Sequence, residues 1–157
     1  MYSEGFRSAS GLRRGSLNTL TDSEINHIKS EIASIRADER VFLFNIGART
    51  SYDDKADKIY VRGDVFPNFD SMHPRDLMSE RAVLAHEYYG HRAFKGTMLD
   101  IGSWNDEFRA SYTAAKVVPA LSDDDKRYLI QDAIERARVA GISIKHNAFI
   151  RRVLYGY

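Results

Sequence analysis

The chain has 157 residues, of which 43% are hydrophobic and 29% charged, a balance typical of one globular domain with its own core. Its formal net charge is +1, which provides no global electrostatic basis for binding nucleic acid or an anionic membrane. No segment approaches the ~18 uninterrupted apolar residues of a membrane-spanning helix. The chain contains no cysteine, so any metal must be held by histidine, aspartate or glutamate.

The first part of the chain is predicted to be an arm followed by a helix and strands. Residues 1–20 are rich in Gly, Ser and Arg and predict a flexible N-terminal arm, with residues 21–157 forming a single domain. Thr21 and Glu24 have the spacing of a capping box, which predicts a helix from there to about Arg36. Isoleucines at helical spacing mark its core face. Strands are predicted at 41–46, 59–62 and 65–66.

The remainder of the chain is predicted to be helical. One helix begins at Pro74, where a missing N–H costs nothing, and continues through Tyr88. Further helices are predicted over residues 107–118, 122–140 and 146–154. Strands followed by helices indicate an α+β fold, with a small twisted sheet packed on the helix of residues 74–88 and further helices towards the C-terminus.

The most informative motif is HEYYGH, at residues 86–91. In the related His-Glu-x-x-His motif, two histidines one helical turn apart hold zinc, and the glutamate activates a water molecule at the metal. Here His86 and His91 are five residues apart, so an ideal α-helix would rotate them by about 140° relative to each other. One π-type turn would absorb the extra residue, or the helix could end near Gly90, where the chain can turn. Otherwise the histidines lie on different faces of a packed helix and bind no metal.

A third ligand is needed, because catalytic zinc sites use three protein ligands and an open position. Glu107 lies sixteen residues after His91, at the start of a predicted helix, and could point back at the histidines. Asp106 and His146 are the rival candidates. The alternative for Glu107 is a first-turn glutamate that is favoured only by the helix dipole.

The segment VLAHEYYGH, followed by DEFRASYTAAKVVP, resembles the zincin superfamily of metallopeptidases, in its gluzincin type. More narrowly it is similar to the ImmA/IrrE-type peptidases, which pair an AHE-x-GH helix with a later glutamate on an alanine-rich helix. Residues 53–61 resemble the edge strand of such enzymes. The whole arrangement also resembles zincin-like domains of bacterial polymorphic toxins. The resemblance covers roughly residues 50–119, and the extra residue between the histidines departs from the family pattern.

This resemblance implies a zincin-like fold and a zinc-dependent endopeptidase that hydrolyses a restricted set of protein substrates. It implies a Zn²⁺ ion held by His86, His91 and Glu107, with Glu87 as the general base. An extended substrate is expected to pair with the predicted edge strand at residues 59–62.

Tyr112 and Arg109 are candidates for stabilising the oxyanion of the reaction, with Tyr112 one turn beyond Glu107. For both, plain packing or surface charge is the alternative. The expected partners are a protein or peptide substrate and, for a toxin or effector domain, an inhibitor or immunity protein. The expected location is the cytoplasm, or a target cell that receives the domain as part of a larger toxin. The alternative function is a zincin-shaped interaction module with a structural metal or none.

Overall fold

The computed structural model of the protein describes residues 18–96, 100 and 102–157. The α-helices there are α1 (Asp22–Ser34), α2 (Pro74–Leu77), α3 (Glu80–Ala85), α4 (Trp104–Val117), α5 (Asp123–Val139) and α6 (Ala148–Tyr155). The strands are β1 (Phe42–Phe44), β2 (Ser51–Asp53) and β3 (Lys58–Val61). A π-helix covers His86–His91, and short 3₁₀ turns cover Glu39–Val41, Gly63–Val65 and Arg92–Phe94. None of the helices in these ranges has both the length and the apolar character needed to cross a membrane.

The N-terminal capping box and the helix that it opens are confirmed. The Thr21 hydroxyl accepts from the Glu24 N–H at 3.1 Å, and the Glu24 carboxylate accepts from the Thr21 N–H at 2.9 Å. Residues 1–17 of the predicted flexible arm lie outside the described residues. Its last residue, Leu20, is buried and donates its N–H to Asn45 Oδ1 at 2.8 Å. The packed domain therefore begins before residue 21, because Leu20 belongs to the core.

The sheet has three strands in the order β1-β3-β2. β1 runs parallel to β3, with Phe42 opposite Ile59, and β2 runs antiparallel to β3, with Tyr52 opposite the same Ile59. The prediction of an edge strand at residues 59–62 is wrong, because β3 is the central strand and both of its sides are paired. The strand predicted at residues 65–66 is also wrong, since the chain there leaves a 3₁₀ turn and Val65 enters the core without joining the sheet.

Capping side chains decide where the later helices begin. The single helix predicted from Pro74 through Tyr88 is wrong: α2 ends at Leu77, Met78 is extended, and the Ser79 side chain caps α3 by accepting from the Ala82 N–H. A serine hydroxyl offers the backbone an alternative to continuing the helix, which explains the break. The other three predicted helices are present, each starting directly after a capping residue, namely Ser103, Ser122 and Asn147.

The α3–π-helix segment lies at the centre of the fold. It contacts α1 and β2, and it also contacts α4 and α5. Buried apolar side chains from all of these elements form one core, whose largest fully buried members are Ile28, Ile32, Ile59, Met78, Leu84, Leu129, Ile130 and Ile150. The fold is therefore α+β, with a small mixed sheet and α1 beside the central segment and the long helices α4 and α5 packed against it.

Thr50→Val is expected to lower the free energy of unfolding by about 1–3 kcal/mol. The buried Thr50 hydroxyl donates to Asp64 Oδ1 at 2.7 Å and accepts from the Arg62 N–H at 3.0 Å. Valine keeps the shape but leaves the Asp64 carboxylate and the Arg62 amide each short of one partner. Urea denaturation measures the loss. Thr113→Val on α4 lies outside this hydrogen-bond group and should change stability by less than about 0.5 kcal/mol; equal losses in the two variants would contradict the explanation.

Candidate metal centre

A π-turn brings the two histidines of HEYYGH to the same side of the helix. The Arg92 N–H donates to the carbonyls of both Glu87 and Tyr88, so the hydrogen bonds reach back as far as five residues and the spacing of His86 and His91 becomes about one turn. Their imidazole rings are 4.6 Å apart between centroids and nearly perpendicular. The prediction that this helix departs from α geometry is confirmed, by the π-turn rather than by termination.

Gly90 allows the π-helix to touch α4. A Cβ atom at this position would lie 2.5 Å from the carbonyl oxygen of Ala110 and 2.7 Å from its Cα, which is closer than packed atoms tolerate. Gly90 lies within the π-helix and does not have a positive φ. Its role is therefore close approach, and the alternative in which it ends the helix is wrong.

The ends of the π-helix are tied to the neighbouring elements. The Tyr89 hydroxyl donates to the Ile35 carbonyl at 2.6 Å, just after α1. The Arg92 guanidinium lies over the Tyr88 ring at 5.1 Å and donates to both oxygens of Asp57, at 2.9 and 3.1 Å, in the β2–β3 turn. The hydrogen bond from Arg92 is the main cause that lowers the pKa of Asp57 to about 2. These contacts fix the orientation of the turn that carries the histidines.

Both histidines face one carboxylate. His91 Nε2 is 2.8 Å from Glu107 Oε1, and His86 Nε2 is 3.4 Å from the same oxygen. Two groups of three residues each offer ligand atoms that lie within 4.8 Å of one another: His86, Glu87 and His91 form one group, and His91, Asp106 and Glu107 form the other. The exposed fractions are 0% for His86, 1% for Glu87, 7% for His91 and 4% for Glu107. The structure thus brings the three predicted ligands together, along with Glu87 and the rival candidate Asp106.

The protonation states differ between the two imidazoles. Burial lowers the pKa of His86 to about 4, so this ring is neutral at neutral pH. Burial opposes charge on His91 as well, but the Glu107 carboxylate and hydrogen bonds to Asp106 and Glu107 outweigh it and raise the pKa of His91 well above its usual value. Burial likewise opposes ionisation of Glu107, and the two histidines outweigh it and hold its pKa well below the usual range. Without a metal, His91 and Glu107 form an ion pair, and a bound cation would replace the proton on His91.

Glu87 has no hydrogen-bond partner for either carboxylate oxygen in the part of the chain that the structure describes. Burial raises the pKa of Glu87 to about 8. Buried polar groups are nearly always hydrogen-bonded, because desolvation without compensation is costly. An unpartnered carboxyl beside two imidazoles and an ionised Glu107 fits a divalent cation, whose charge would favour the carboxylate form of Glu87.

A polar layer behind the ligands was not identified from the sequence. His86 Nδ1 is 3.0 Å from Ser111 Oγ, and the Ser111 hydroxyl donates to Asp132 Oδ2 at 2.9 Å. Arg136 donates to Asp132 Oδ1 at 3.1 Å, and its Nη1 atom lies 3.9 Å from Glu107 Oε2. In the sequence, each helix carries two polar residues on one face, because Glu107 and Ser111 are four residues apart, as are Asp132 and Arg136.

The structure places Tyr112 in an aromatic cluster. Its ring stacks on Phe108 at 5.9 Å between centroids and meets Phe149 edge-on at 5.4 Å. Its hydroxyl accepts from the Asn147 side chain at 2.9 Å. These contacts favour packing over catalysis, and the oxyanion role of Tyr112 stays a prediction.

The contacts of Arg109 and His146 also favour structural roles, and the oxyanion role of Arg109 stays a prediction. The Arg109 guanidinium lies 4.3 Å from the centroid of the Phe94 ring and 3.5 Å from Asp106 Oδ1. His146 stacks on Tyr155 near the C-terminus and belongs to neither group of close ligand atoms that contains His91. Asp106 is the rival that the fold does bring to the site, with its Oδ1 atom 3.5 Å from His91 Nδ1.

A second group of suitable residues lies at the surface. His27, Glu31 and Glu80 each offer a ligand atom within 4.8 Å of the others. The Glu31 carboxylate is already held by the Arg81 guanidinium through hydrogen bonds of 2.9 and 3.2 Å. A cation there would compete with a fixed positive charge, so the buried group is the better candidate.

Comparisons with protein-family models, curated proteins and solved structures found no match to this chain. Its function has to be inferred from the geometry and chemistry of this site.

Gly90→Ala is expected to push the π-helix away from α4, lowering the free energy of unfolding by about 1–3 kcal/mol and weakening divalent-metal binding. Urea denaturation and calorimetric zinc titration measure the two effects. Gly141→Ala is the control, because its Cβ would meet no atom within 4 Å and only the positive φ is strained, at about 1–2 kcal/mol. It should leave metal binding intact. A Gly90→Ala protein that binds metal as the parent does would contradict the role of this contact.

Proposed function

We propose that this protein is a zinc-dependent endopeptidase of the zincin type. The observation that carries the proposal is the convergence of His86, His91 and Glu107 in one buried cluster, with the unpartnered carboxyl of Glu87 beside them. The π-turn supports it further, because such turns concentrate at functional sites and this one makes the five-residue spacing compatible with a shared ligand.

Zinc is the proposed metal because of the donor types. Two imidazole nitrogens and a carboxylate oxygen form the His₂Glu set found in zinc peptidases, and a chain without cysteine can offer no thiolate alternative. His86, His91 and Glu107 would hold the ion. When bound, zinc would act as a Lewis acid that polarises the scissile carbonyl and makes a water molecule more acidic.

Glu87 is the proposed general base. Its position next to both histidines would let it accept a proton from the attacking water and later pass that proton to the leaving amine. The role requires the carboxylate form, which burial disfavours and a neighbouring divalent cation favours. The dry surroundings would strengthen each electrostatic interaction during the reaction.

The proposed substrates are protein segments in extended conformation. β2 lies at an edge of the sheet and contacts the π-helix, so it replaces residues 59–62 as the proposed pairing strand. Backbone hydrogen bonds to β2 would align the substrate, and pockets for the substrate's side chains would determine which sequences bind. β2 has only three residues, which favours a short contact and a restricted set of targets. A role as a bacterial toxin domain with a matching immunity protein remains a hypothesis from the resemblance.

A second candidate function is an interaction module with a structural metal. The observation that favours it is burial: His86, Glu87, His91 and Glu107 expose no more than 7% of their surface. Structural zinc sites are closed by four protein ligands, whereas catalytic sites keep one position open. In this alternative Asp106 or Glu87 would be the fourth ligand, and the protein would act by binding a partner.

The purified protein is expected to carry about one zinc ion per chain. His86→Ala and His91→Ala should each lose most of it, because each removes a nitrogen ligand. Elemental analysis after dialysis against zinc-free buffer gives the content. His146→Ala removes a histidine near the C-terminus and should retain the zinc of the parent. Full zinc content in both the His86→Ala and the His91→Ala protein would place the metal elsewhere.

Glu87→Gln is expected to keep the fold and the zinc while lowering cleavage by about 10²–10⁴-fold, since it removes only the base. New protein termini, read by mass spectrometry after incubating the parent with cell lysates, would identify substrates for the rate measurement. Glu39→Gln changes an exposed glutamate in the same way and should cleave as the parent does. A zinc-loaded parent that cleaves nothing in broad protein and peptide libraries would favour the interaction module.

A further inference from the structure

A buried chain of hydrogen bonds leads from His86 to α5. His86 Nδ1 is 3.0 Å from Ser111 Oγ, which is 2.9 Å from Asp132 Oδ2, and all three side chains are fully buried. Asp132 Oδ1 lies 3.3 Å from Arg75 Nε and 3.1 Å from Arg136 Nε. Between two guanidinium groups, Asp132 is a carboxylate, and a carboxylate can only accept hydrogen bonds.

The direction of these hydrogen bonds follows from the single proton of the Ser111 hydroxyl. Because that proton goes to Asp132, Ser111 Oγ must accept from His86, which requires an N–H at Nδ1. A neutral imidazole has one N–H, so the Nε2 atom of His86 carries a lone pair. That lone pair faces Glu107 Oε1 at 3.4 Å. Two acceptors then face each other, an arrangement that a cation between them would stabilise.

We infer that Ser111 and Asp132 are positioning residues that hold His86 in its Nδ1–H tautomer and direct Nε2 at the metal. Their purpose depends on the proposed zinc site, whereas the direction of the hydrogen bonds does not. Partners of this kind fix the orientation of metal-binding histidines and raise their basicity. His91 differs, because its Nδ1 faces a carboxylate directly, at 3.5 Å from Asp106.

α5 supports the site although it supplies none of the proposed ligands. Glu107 and Ser111 are one turn apart on α4, and they face Asp132 and Arg136, one turn apart on α5. Asp132 reaches His86 through Ser111, and Arg136 Nη1 lies 3.9 Å from Glu107 Oε2. One helix thereby orients both an imidazole and a carboxylate of the site.

Nitrogen-15 NMR of the histidine rings in the metal-free parent tests the tautomer directly. The expected result is a His86 ring protonated at Nδ1 and unprotonated at Nε2. A ring protonated at Nε2 would overturn the inference. This measurement requires no substitution and no bound zinc. If the parent takes up no zinc, the proposed function fails, and the tautomer still decides whether Ser111 and Asp132 act as inferred.

Zinc titration of variants tests the effect on the metal. Ser111→Ala is expected to weaken zinc binding about 10–100-fold, and Ser111→Thr, which keeps the hydroxyl, should retain most of the affinity. Ser122→Ala is the control for lost stability, because it removes the N-cap of α5, where Ser122 accepts from the Asp125 N–H, without touching the site. Parent-like zinc affinity in Ser111→Ala would overturn the inference.

Asp132→Asn tests the direction of the hydrogen bonds from His86 through Ser111 to Asp132. An asparagine amide can donate to Ser111, which frees the Ser111 proton for His86 Nδ1 and moves the imidazole proton to Nε2. The expected result is an exchange of the two His86 nitrogen signals together with weaker zinc binding. An unchanged Nδ1–H ring in the folded variant would overturn the role of Asp132.

Discussion

The contact between Gly90 and Ala110 is the constraint on which the site depends. It brings the backbone of the π-helix against the backbone of α4, at a distance where no side chain fits. The π-turn rotates His91 to the side of His86, and the close approach then puts Glu107 within reach of both. Without the turn the histidines would diverge, and without the glycine the carboxylate would stay out of range.

This geometry concentrates ionisable groups in the protein interior. His86, Glu87, His91, Glu107 and Asp132 are all buried, and replacing such groups with apolar ones often stabilises a protein. Most of the free-energy cost of burying these groups is offset by pairing among them, by Ser111 and by the guanidinium groups behind the site. Glu87 is the exception, since its carboxyl has no partner among the described residues. Groups of this kind persist mainly at functional sites, where local stability is sacrificed for chemistry.

The sheet contributes through its order as well as through its packing. β3 provides the buried Ile59 and Val61 to the core and is paired on both sides, so it is closed to any further strand. β2 contacts the π-helix and has one side without a partner strand within the described ranges. In the proposed function, β2 therefore replaces β3 as the strand that can pair with an extended substrate.

The sequence by itself determined the properties that depend on neighbours along the chain. The Thr21–Glu24 capping box and the isoleucine face of α1 follow from spacings of three and four residues. The five-residue spacing of His86 and His91 predicted a departure from α geometry on the condition that both histidines bind one metal ion. Glu107 could also be proposed as a ligand, because it is a carboxylate residue at the start of a predicted helix that follows the histidine motif.

Only the tertiary structure decided what depends on contacts between distant segments. The π-turn could be distinguished from termination only in the structure, because Gly90 is required by its contact with Ala110 on another helix. The tertiary structure set the strand order, which strand propensity cannot specify because the pattern of β3 suits an edge or a centre equally. It also joined Ser111 to Asp132, 21 residues away, a pairing that two buried helix faces create only when they pack.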